Sequence, residues 1–400
     1  MEFPGPGEGP DPDGRWKGMK FRQMVALMLV AAMGWGGAAA GAEESVKVGV
    51  LAPLTGFAAA DGLSVKNALE LAAEQVNAKG GVLGKKLELV IYDDAADPKE
   101  SVTLAQKLIE QDQVVAVVGG SYSMPTRVAA PVFNEEGVPM VAAYAIHPDV
   151  TEGDYTFRNG FLGKVEGGAA AYVADTMLKG KSVALLYADN DFGKTLAQGF
   201  KGYVEAKGTL QVIFEQAYPA NEKDFSPYLS KIKEGAPDVL VAFGYYFQTG
   251  PVVKQAREMG ITAAILGEEG ADSPKLFEIA GPAAEGFALV TNLNRDDPRP
   301  VVQEFLKSFR EKYAMEPDMV GASAYDALMI IVDSITRSGG TDRKGIRDAI
   351  AAVKDYDGLT GIIQGFTEVG EVVKPVQVQV VKDGKFTYMG VVDDPKLIQP

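Results

Sequence analysis

The chain has 400 residues, 46% of them hydrophobic, which is enough to build two domains with cores of their own. Its formal net charge of −15 argues against a polyanion-binding function, because nucleic acid would be repelled over most of the surface. The absence of cysteine excludes disulfides, thiolate metal sites, cysteine nucleophiles and a lipid-modified cysteine anchor.

The N-terminal region has the pattern of a secretory signal. From Met19, a basic start with Lys20 and Arg22 precedes an apolar run over residues 24–35, and small residues then lead to Ala42. This order predicts cleavage after Ala42 and an exported mature protein that is not embedded in the membrane. The alternative is a single membrane anchor, which is disfavoured because the run is shorter than the ~20 residues of a spanning helix.

The first half of the mature region alternates short apolar strands with amphipathic helices. The predicted strands are VKVGVLA, LELVIYDD, VVAVVGG and VPMVAAY, and the predicted helices cover residues 62–79, 98–112 and 127–136. Gly80 and Gly81 end the first of these helices, since glycine adopts the left-handed cap conformation at little cost.

A second series of elements starts near Lys181. Its predicted strands, with helices between them, are SVALLYA, LQVIFEQ, DVLVAF, ITAAILG and GFALVTN. Helices follow at 298–312, 322–337 and 341–353, and the turn at 382–385 predicts a late hairpin. Continuous apolar strands alternating with helices indicate parallel sheets covered on both faces. The predicted fold class is therefore α/β, with two doubly wound parallel-sheet lobes.

The loops that follow the predicted strands are the expected place for a ligand. In open parallel sheets, ligands bind beyond the carboxyl ends of strands, where helix N-termini point free N–H groups into a crevice. These loops are rich in hydroxyl groups, tyrosines and carboxylates and cover residues 54–56, 119–123, 142–147, 189–193, 244–247 and 267–270. Such a set fits a small ligand with an ammonium group and apolar surface. It does not fit a phosphate, which would require a Gly-Lys-[Ser/Thr] loop or arginines.

The whole mature chain resembles the leucine–isoleucine–valine-binding proteins, the periplasmic receptors of branched-chain amino-acid ABC transporters. The matching segments are VKVGVLAPLTG, NALELAAEQVNAKGGVLGKKLELVIYDDAADP, DFSPYLSKIKEGAPDVLVAFGYY, QAREMG, YDALMIIVDSI and GLTG. The resemblance implies a type I periplasmic binding fold, with two lobes joined by three crossovers and a ligand clamped between them. After the upstream segment 1–42, the implied N-terminal lobe comprises 43–160 and 293–362, and the C-terminal lobe 161–292 and 363–400. A membrane permease of the transporter is the implied protein partner.

The resemblance also implies ligand-binding residues in the first lobe. Ser123 matches a serine that helps to hold the ligand carboxylate. Tyr144, Ala145 and Ile146 lie in a loop whose backbone, with a threonine side chain, completes the head-group contacts, and Ile146 replaces that threonine. Asp61 replaces a tyrosine of the first loop. Two alternatives remain open: Ser123 also fits a helix N-cap, and Asp61 also fits a turn residue.

Across the cleft, the resemblance assigns an acid and several aromatic residues. Glu269 matches the acid that binds the ligand ammonium, and Tyr245 matches a retained tyrosine. Phe192 replaces a second tyrosine, keeping the ring but losing the hydroxyl, and Phe161 adds apolar surface. Tyr122 stands at one position of the family's disulfide and is counted among the expected ligand-binding residues. The alternatives are a solvated loop for Glu269 and lobe packing for Tyr245 and Phe192.

An enzyme is the competing class of function. A Ser–His arrangement would need His147, the single histidine, but no Gly-x-Ser-x-Gly motif exists, and His147 before Pro148 is predicted to be a turn residue at the rim. Glu268 and Glu269 could form a hydrolase pair, although the sequence does not define their separation. DNDFG resembles part of a calcium loop but lacks the later ligands. We therefore predict no catalytic residue, no metal and no cofactor.

The predicted ligand is a hydrophobic amino acid, either branched-chain or aromatic. Ser123, Tyr245 and Glu269 retain head-group residues of the family, whereas Ile146 and Phe192 make the pocket more apolar. The alternative is a different small molecule, such as an amide or an aromatic acid, because the head-group loop departs from the family. A sensor lobe of a receptor shares this fold and is a third class, disfavoured because no transmembrane or kinase segment follows.

Overall fold

Two parallel sheets form the framework of the protein, whose computed structural model describes residues 45–400. The predicted secretory signal, residues 1–42, lies outside the described residues. The strands are β1 (Ser45–Ala52), β2 (Lys86–Asp93), β3 (Ala116–Gly119), β4 (Met140–Ala142), β5 (Thr156–Arg158), β6 (Ser182–Ala188), β7 (Gln211–Tyr218), β8 (Val239–Phe243), β9 (Ala264–Gly267), β10 (Ala288–Thr291), β11 (Lys354–Gly358), β12 (Gly361–Phe366), β13 (Val372–Val373), β14 (Val376–Lys382) and β15 (Lys385–Val392).

Helices connect most of these strands. They are α1 (Ala59–Ala78), α2 (Pro98–Glu110), α3 (Ser123–Glu135), α4 (Gly163–Tyr172), α5 (Asp191–Lys207), α6 (Ser226–Gly235), α7 (Tyr246–Glu258), α8 (Lys275–Ala280), α9 (Pro300–Tyr313), α10 (Met319–Ser338), α11 (Arg343–Ala351) and α12 (Pro395–Ile398). Side chains define several of their starts. Asp97 accepts hydrogen bonds from the first N–H groups of α2, and Asn190 accepts one at the start of α5.

The first sheet has the strand order β2-β1-β3-β4-β5, and all of its strands are parallel. β3 and β4 are buried along their whole length, which explains why their sequences are continuous apolar runs. The structure confirms the four strands predicted for this sheet. β5, the edge strand, was not predicted, because its three residues Thr-Phe-Arg carry no apolar run.

The second sheet repeats this arrangement and extends it. β7-β6-β8-β9-β10 are parallel in the same order as β2-β1-β3-β4-β5, and β14 and β15 then add antiparallel to one edge. Asp383 and Gly384 turn this hairpin with positive φ angles of 52° and 70°. A two-residue turn of that kind matches the twist of the strands. The predicted hairpin is therefore confirmed.

The chain passes three times between the two sheets. It leaves the first after β5, and after β10 it returns as α9 and α10, where α10 packs against α1, β3 and β4. It then forms a small sheet, β11-β12-β13, and finally enters the second sheet as β14. The small sheet was not predicted. Two doubly wound lobes with three crossovers are the fold class expected from the sequence.

Helix α10 is long and apolar enough to span a membrane, yet 78% of its most apolar window is buried inside the protein. It is a core helix of the first lobe.

In each large sheet, the strand order reverses beside the first strand, between β1 and β3 and between β6 and β8. Loops that leave such a switch point diverge to opposite faces of the sheet and open a crevice.

Candidate ligand-binding site

A small cavity lies where the loops after β1, β3 and β4 meet those after β6, β8 and β9. Its lining residues are Asp61, Tyr122, Ser123, Tyr144, Phe192, Tyr245, Glu269, Gly270, Met319 and Val320. The room among them is narrow, because the centre of a water molecule can occupy only about 10 Å³. That is space for about one water molecule. Seven of the ten residues expected to bind a ligand meet in this one place.

Asp61 lies in the first turn of α1 with 5% of its surface exposed, so its interpretation as a turn residue is wrong. Its Oδ2 accepts a hydrogen bond from Tyr122 Oη at 2.6 Å. Burial and nearby Asp318 raise the pKa of Asp61 to about 7, although the Tyr122 hydrogen bond acts in the opposite direction. The side of the cavity formed by the first lobe therefore carries a buried acid whose pKa is raised into the neutral range.

Ser123 bonds to the loop after β4 and does not cap the start of its own helix. Tyr122 is the N-cap of α3, so the N-cap interpretation of Ser123 is wrong. Ser123 Oγ accepts a hydrogen bond from the N–H of Ile146 at 3.1 Å. Tyr144 Oη donates to the carbonyl of Gly120 at 2.7 Å, so the Tyr144 hydroxyl is bonded within the first lobe. The hydroxyl groups of this wall thus tie the loop after β4 to the loop after β3.

Arg158, at the end of β5, holds the same loop from behind and was missed by sequence reasoning. It is fully buried and pairs with Glu371 through Nε at 2.8 Å and Nη2 at 3.0 Å. Its Nη1 donates to the carbonyl of Ala145, and its Nη2 donates to that of His147 at 2.6 Å. Arg158 and Glu371 are 213 residues apart in the chain, so no local sequence pattern could have paired them.

Three residues expected to bind the ligand stand behind the cavity. Ala145 and Ile146 are buried, with 1% and 0% of their surface exposed, and neither is among the lining residues. The Ile146 side chain packs against the start of α4, where a Cβ on Gly163 would lie 3.1 Å from Ile146 Cδ1. Phe161 is also buried, and Lys374 Nζ lies 5.1 Å from the centre of its ring.

Three lining residues were absent from the sequence-based set. Gly270 follows the acid of the loop after β9, and Met319 and Val320 begin helix α10. Gly270 could have been found, since it lies in the loop already singled out. Met319 and Val320 could not, because their apolar side chains match the buried face of an ordinary core helix.

Glu269 dominates the second wall. Only 2% of its surface is exposed, and its Oε2 accepts a hydrogen bond from Asn292 Nδ2 at 2.5 Å. Its Oε1 has no hydrogen-bond partner among residues 45–400. Its N–H donates to Glu166 Oε1 at 3.0 Å. The solvated-loop interpretation of Glu269 is therefore wrong, and this lining residue has a carboxylate oxygen that no other described residue binds.

Two further buried acids surround Glu269. Glu268 accepts backbone hydrogen bonds from Gly244 at 3.0 Å and Gly270 at 2.6 Å, so it ties two loops together. Burial and the neighbouring carboxylates raise the pKa of Glu268 and of Glu269 well above the usual range. Burial also raises the pKa of Glu166 to about 8. The second wall therefore combines several acids that favour a positively charged partner.

Aromatic rings cross the cleft between the two walls. Tyr122 of the first lobe stacks on Tyr245 of the second, with ring centroids 4.3 Å apart and an interplanar angle of 6°. Phe192 stacks on Tyr245 at 4.6 Å, and Phe247 stacks on it at 5.5 Å. These contacts supply a flat apolar surface beside the two acids of the cavity.

His147 lies at the rim and begins the short 3₁₀ turn Pro148–Thr151, where its Nδ1 accepts a hydrogen bond from Asp149 N–H at 3.2 Å. Burial lowers the pKa of His147. Arg127 of α3 lies beside its Nε2 at 3.4 Å and donates to Asp191 Oδ2 at 2.5 Å. This last contact joins the two lobes. The structure places His147 in a turn, as predicted.

The calcium-like sequence DNDFG has other uses in the fold. Asn190 caps α5, Asp189 pairs with Lys194, and Asp191 binds Arg127. Within residues 45–400, no group of three or more histidines or acids is arranged to hold a metal ion.

The comparisons with known proteins identify the family of the chain. Residues 45–385 match the family model described as periplasmic binding protein. The chain belongs to the periplasmic binding protein family, a family of solute-binding proteins, and has its type I fold. A leucine-, isoleucine-, valine-, threonine- and alanine-binding protein of Pseudomonas aeruginosa is 32% identical over 332 residues, which cover 82% of this chain and 88% of that protein.

Solved structures of similar proteins contain two kinds of ligand. A branched-chain amino acid transporter substrate-binding protein of Streptococcus pneumoniae, in complex with isoleucine, is 27% identical with a TM-score of 0.81 and covers 87% of this chain and 99% of its own. An ABC-transporter solute-binding protein of Rhodopseudomonas palustris, in complex with 3,4-dihydroxybenzoic acid, is 26% identical with a TM-score of 0.79 and covers 87% and 97%.

Proposed function

We propose that this protein is the periplasmic substrate receptor of an ABC importer. It binds a hydrophobic amino acid, branched-chain or aromatic, and delivers it to a membrane permease. The two lobes that clamp the ligand comprise residues 43–160 with 293–362 and residues 161–292 with 363–400. The predicted secretory signal and the family membership support the periplasmic location.

The observation that carries the proposal is Glu269, which lines the cavity and whose Oε1 has no hydrogen-bond partner among residues 45–400. A ligand ammonium group that donates to Glu269 Oε1 forms a charge-assisted hydrogen bond in a site screened from water. Asp61 on the opposite wall adds a second acid, and no side chain that lines the cavity is basic. This charge distribution favours an amine over a ligand that carries only a carboxylate.

The remaining contacts divide between the head group and the side chain of the amino acid. Ser123 and the loop of Tyr144, Ala145 and Ile146 are the proposed carboxylate side, where the Ser123 hydroxyl donates to the ligand while its Oγ accepts the Ile146 N–H. The rings of Tyr122, Phe192 and Tyr245 enclose the apolar side chain, together with Met319 and Val320. Phe161 supports the site from behind.

Binding requires the two walls to separate. The cavity has room for about one water molecule, whereas even a small amino acid is several times larger. The ring stack between Tyr122 and Tyr245 lies across the cleft, so opening of the lobes breaks that contact. A hinge motion of this kind is the usual way in which two-lobed binding proteins admit a ligand.

A binding screen tests the proposal. We expect isothermal titration calorimetry to detect binding of L-leucine, L-isoleucine or L-phenylalanine and no binding of 3,4-dihydroxybenzoate. The aromatic acid is the alternative ligand, supported by the dihydroxybenzoate complex of a 26% identical neighbour. Binding of 3,4-dihydroxybenzoate without binding of any amino acid would refute the amino-acid proposal.

The variant that tests the proposed ammonium contact is Glu269→Gln. It removes the negative charge that faces the ligand ammonium, so we expect affinity for the amino acid to fall about 10- to 100-fold, as for loss of a charged hydrogen bond. Glu278→Gln is the control, because Glu278 is an exposed helix residue that pairs with Lys275. Equal affinities of the Glu269 variant and the wild type would show that Glu269 does not bind the ammonium group.

A further inference from the structure

Glu166 is a buried acid for which the proposed ligand contacts supply no role. It lies in the first turn of α4, and none of its surface is exposed. Its Oε1 accepts the N–H of Glu269 at 3.0 Å, and its Oε2 has no hydrogen-bond partner among residues 45–400. Glu269 Oε1 also lacks one within that range. Two neighbouring buried acids thus each present an unpaired oxygen.

The charged groups around this pair leave an excess of negative charge. Glu268 accepts two backbone hydrogen bonds, and Asp272 pairs with Arg295. Lys374 is the basic group that acts on Glu269, but its Nζ donates to Thr360 and its charge also acts on buried Asp326. Lys374 therefore cannot balance both acids of the pair.

Two adjacent carboxylates in a buried site do not both remain ionised without a cation, because desolvation and mutual repulsion favour retention of one proton. We propose that Glu166 is a positioning and specificity-determining residue of the ammonium subsite: it holds Glu269 through its main-chain N–H and shares one proton with the Glu269 carboxylate. When an ammonium group binds, that proton leaves to solvent, and the ligand cation takes its place. This inference rests on the proposed function, since it requires a ligand that carries an amine.

The raised pKa of both acids supports a retained proton. The consequence for specificity is direct. A carboxylic acid without an amine cannot replace the charge of the proton, so it meets an occupied or repulsive site. The ligand and the proton also compete, so affinity for an amine ligand increases as pH rises towards about 8, by up to about tenfold per pH unit when one proton is released.

Calorimetry in two buffers measures the proton directly. L-Leucine is titrated at pH 7 in phosphate and in Tris, and the difference in observed enthalpy counts protons exchanged with the buffer. We expect release of about one proton per ligand in the wild type and well under half a proton in Glu166→Gln. Glutamine keeps an oxygen for the Glu269 N–H, so the variant removes charge while it preserves the backbone contact.

The control variant is Asp61→Asn, because Asp61 is the acid of the opposite wall that also titrates near pH 7. Proton release that persists in Glu166→Gln and disappears in Asp61→Asn would overturn the inference, as would leucine binding without any proton release. Release that persists in Asp61→Asn and is lost in Glu166→Gln supports it.

A second measurement needs no ligand. Because the pKa of Glu166 in the native state lies above its unfolded value of 4.5, its contribution to stability is complete below about pH 4.5 and is lost as pH rises through about 8. We expect urea unfolding to show a smaller loss of stability between pH 5 and 9 in Glu166→Gln than in the wild type, because the titration of the other buried acids, such as Asp61, remains in both proteins. Identical profiles would overturn the shared proton. Failure of every amino acid to bind would instead refute the proposed function.

Discussion

The two walls of the cavity are built on the same strand order but have opposite chemistry. In the first lobe, hydroxyl groups and Arg158 bond to main-chain groups of the loops after β3 and β4. In the second lobe, Glu166 and Glu269 each keep a buried oxygen without a partner in the described range 45–400. The first wall is therefore a rigid frame, whereas the second is an electrostatic site that a ligand can complete. Two lobes with the same strand order can therefore carry loops of different chemical function.

The frame depends most on the buried pair Arg158–Glu371. Arg158→Met leaves Glu371 as an uncompensated buried charge, so we expect a loss of about 3 to 5 kcal/mol in the free energy of unfolding, measured with urea. Arg310→Met is the control, because the Arg310–Glu316 pair is largely exposed, and it is expected to cost less than about 1 kcal/mol.

The double variant Arg158→Met with Glu371→Met separates charge from packing. Removal of both charges abolishes the uncompensated carboxylate, so we expect most of the lost stability to return. Affinity for the proposed amino-acid ligand is expected to fall in both the single and the double variant, because the carbonyls of Ala145 and His147 lose their donor. A double variant as unstable as Arg158→Met alone would contradict this account of the pair.

Asp61 is the acid of the first wall that lines the cavity, and its contribution to the free energy of unfolding depends on pH. Its pKa is raised from 3.8 to about 7, so its contribution to stability is complete below about pH 4 and is lost as pH rises through about 7. Asp61→Asn removes this dependence. We expect the free energy of unfolding of the variant, relative to that of the wild type, to increase by about 2 kcal/mol from pH 5 to pH 8, as measured by urea unfolding. Parallel pH profiles for the two proteins would refute the assignment.

Sequence reasoning succeeded where the chemistry is local. The carboxyl ends of the apolar strands located the loops of Tyr245 and Glu269, because parallel strands bring those ends to one edge. The resemblance added the roles of single residues. It failed where partners come from distant segments, as with Arg158 and Glu371. Glu166 escaped for another reason: within the Gly- and Ala-rich start of α4, one glutamate looks like a solvated helix residue.

The ion pair that joins the two lobes at the rim is more exposed to solvent than the Arg158–Glu371 pair. Arg127 of the first lobe pairs with Asp191 of the second, and both side chains are about one-third exposed. We expect Arg127→Gln to weaken ligand affinity about two- to fivefold, as for loss of a partly exposed ion pair, and to raise the radius of gyration in solution scattering without ligand. Lys194→Gln is the control, since its partner Asp189 lies on the same lobe. An unchanged radius would show that this pair does not hold the lobes together.

The smallest effect is expected at Ile146, where the resemblance and the geometry lead to different expectations. The resemblance predicts that Ile146→Thr tightens binding of an α-carboxylate by restoring a hydroxyl. The geometry predicts a change of less than about threefold, because the side chain packs against the start of α4 while the Ile146 N–H bonds to Ser123. Ile146→Val is the control, since valine matches the shape of threonine without the hydroxyl. Affinity that rises tenfold in the threonine variant alone would mean that the loop rotates on closure and turns this side chain towards the ligand, making the frame wall as adaptable as the acidic one.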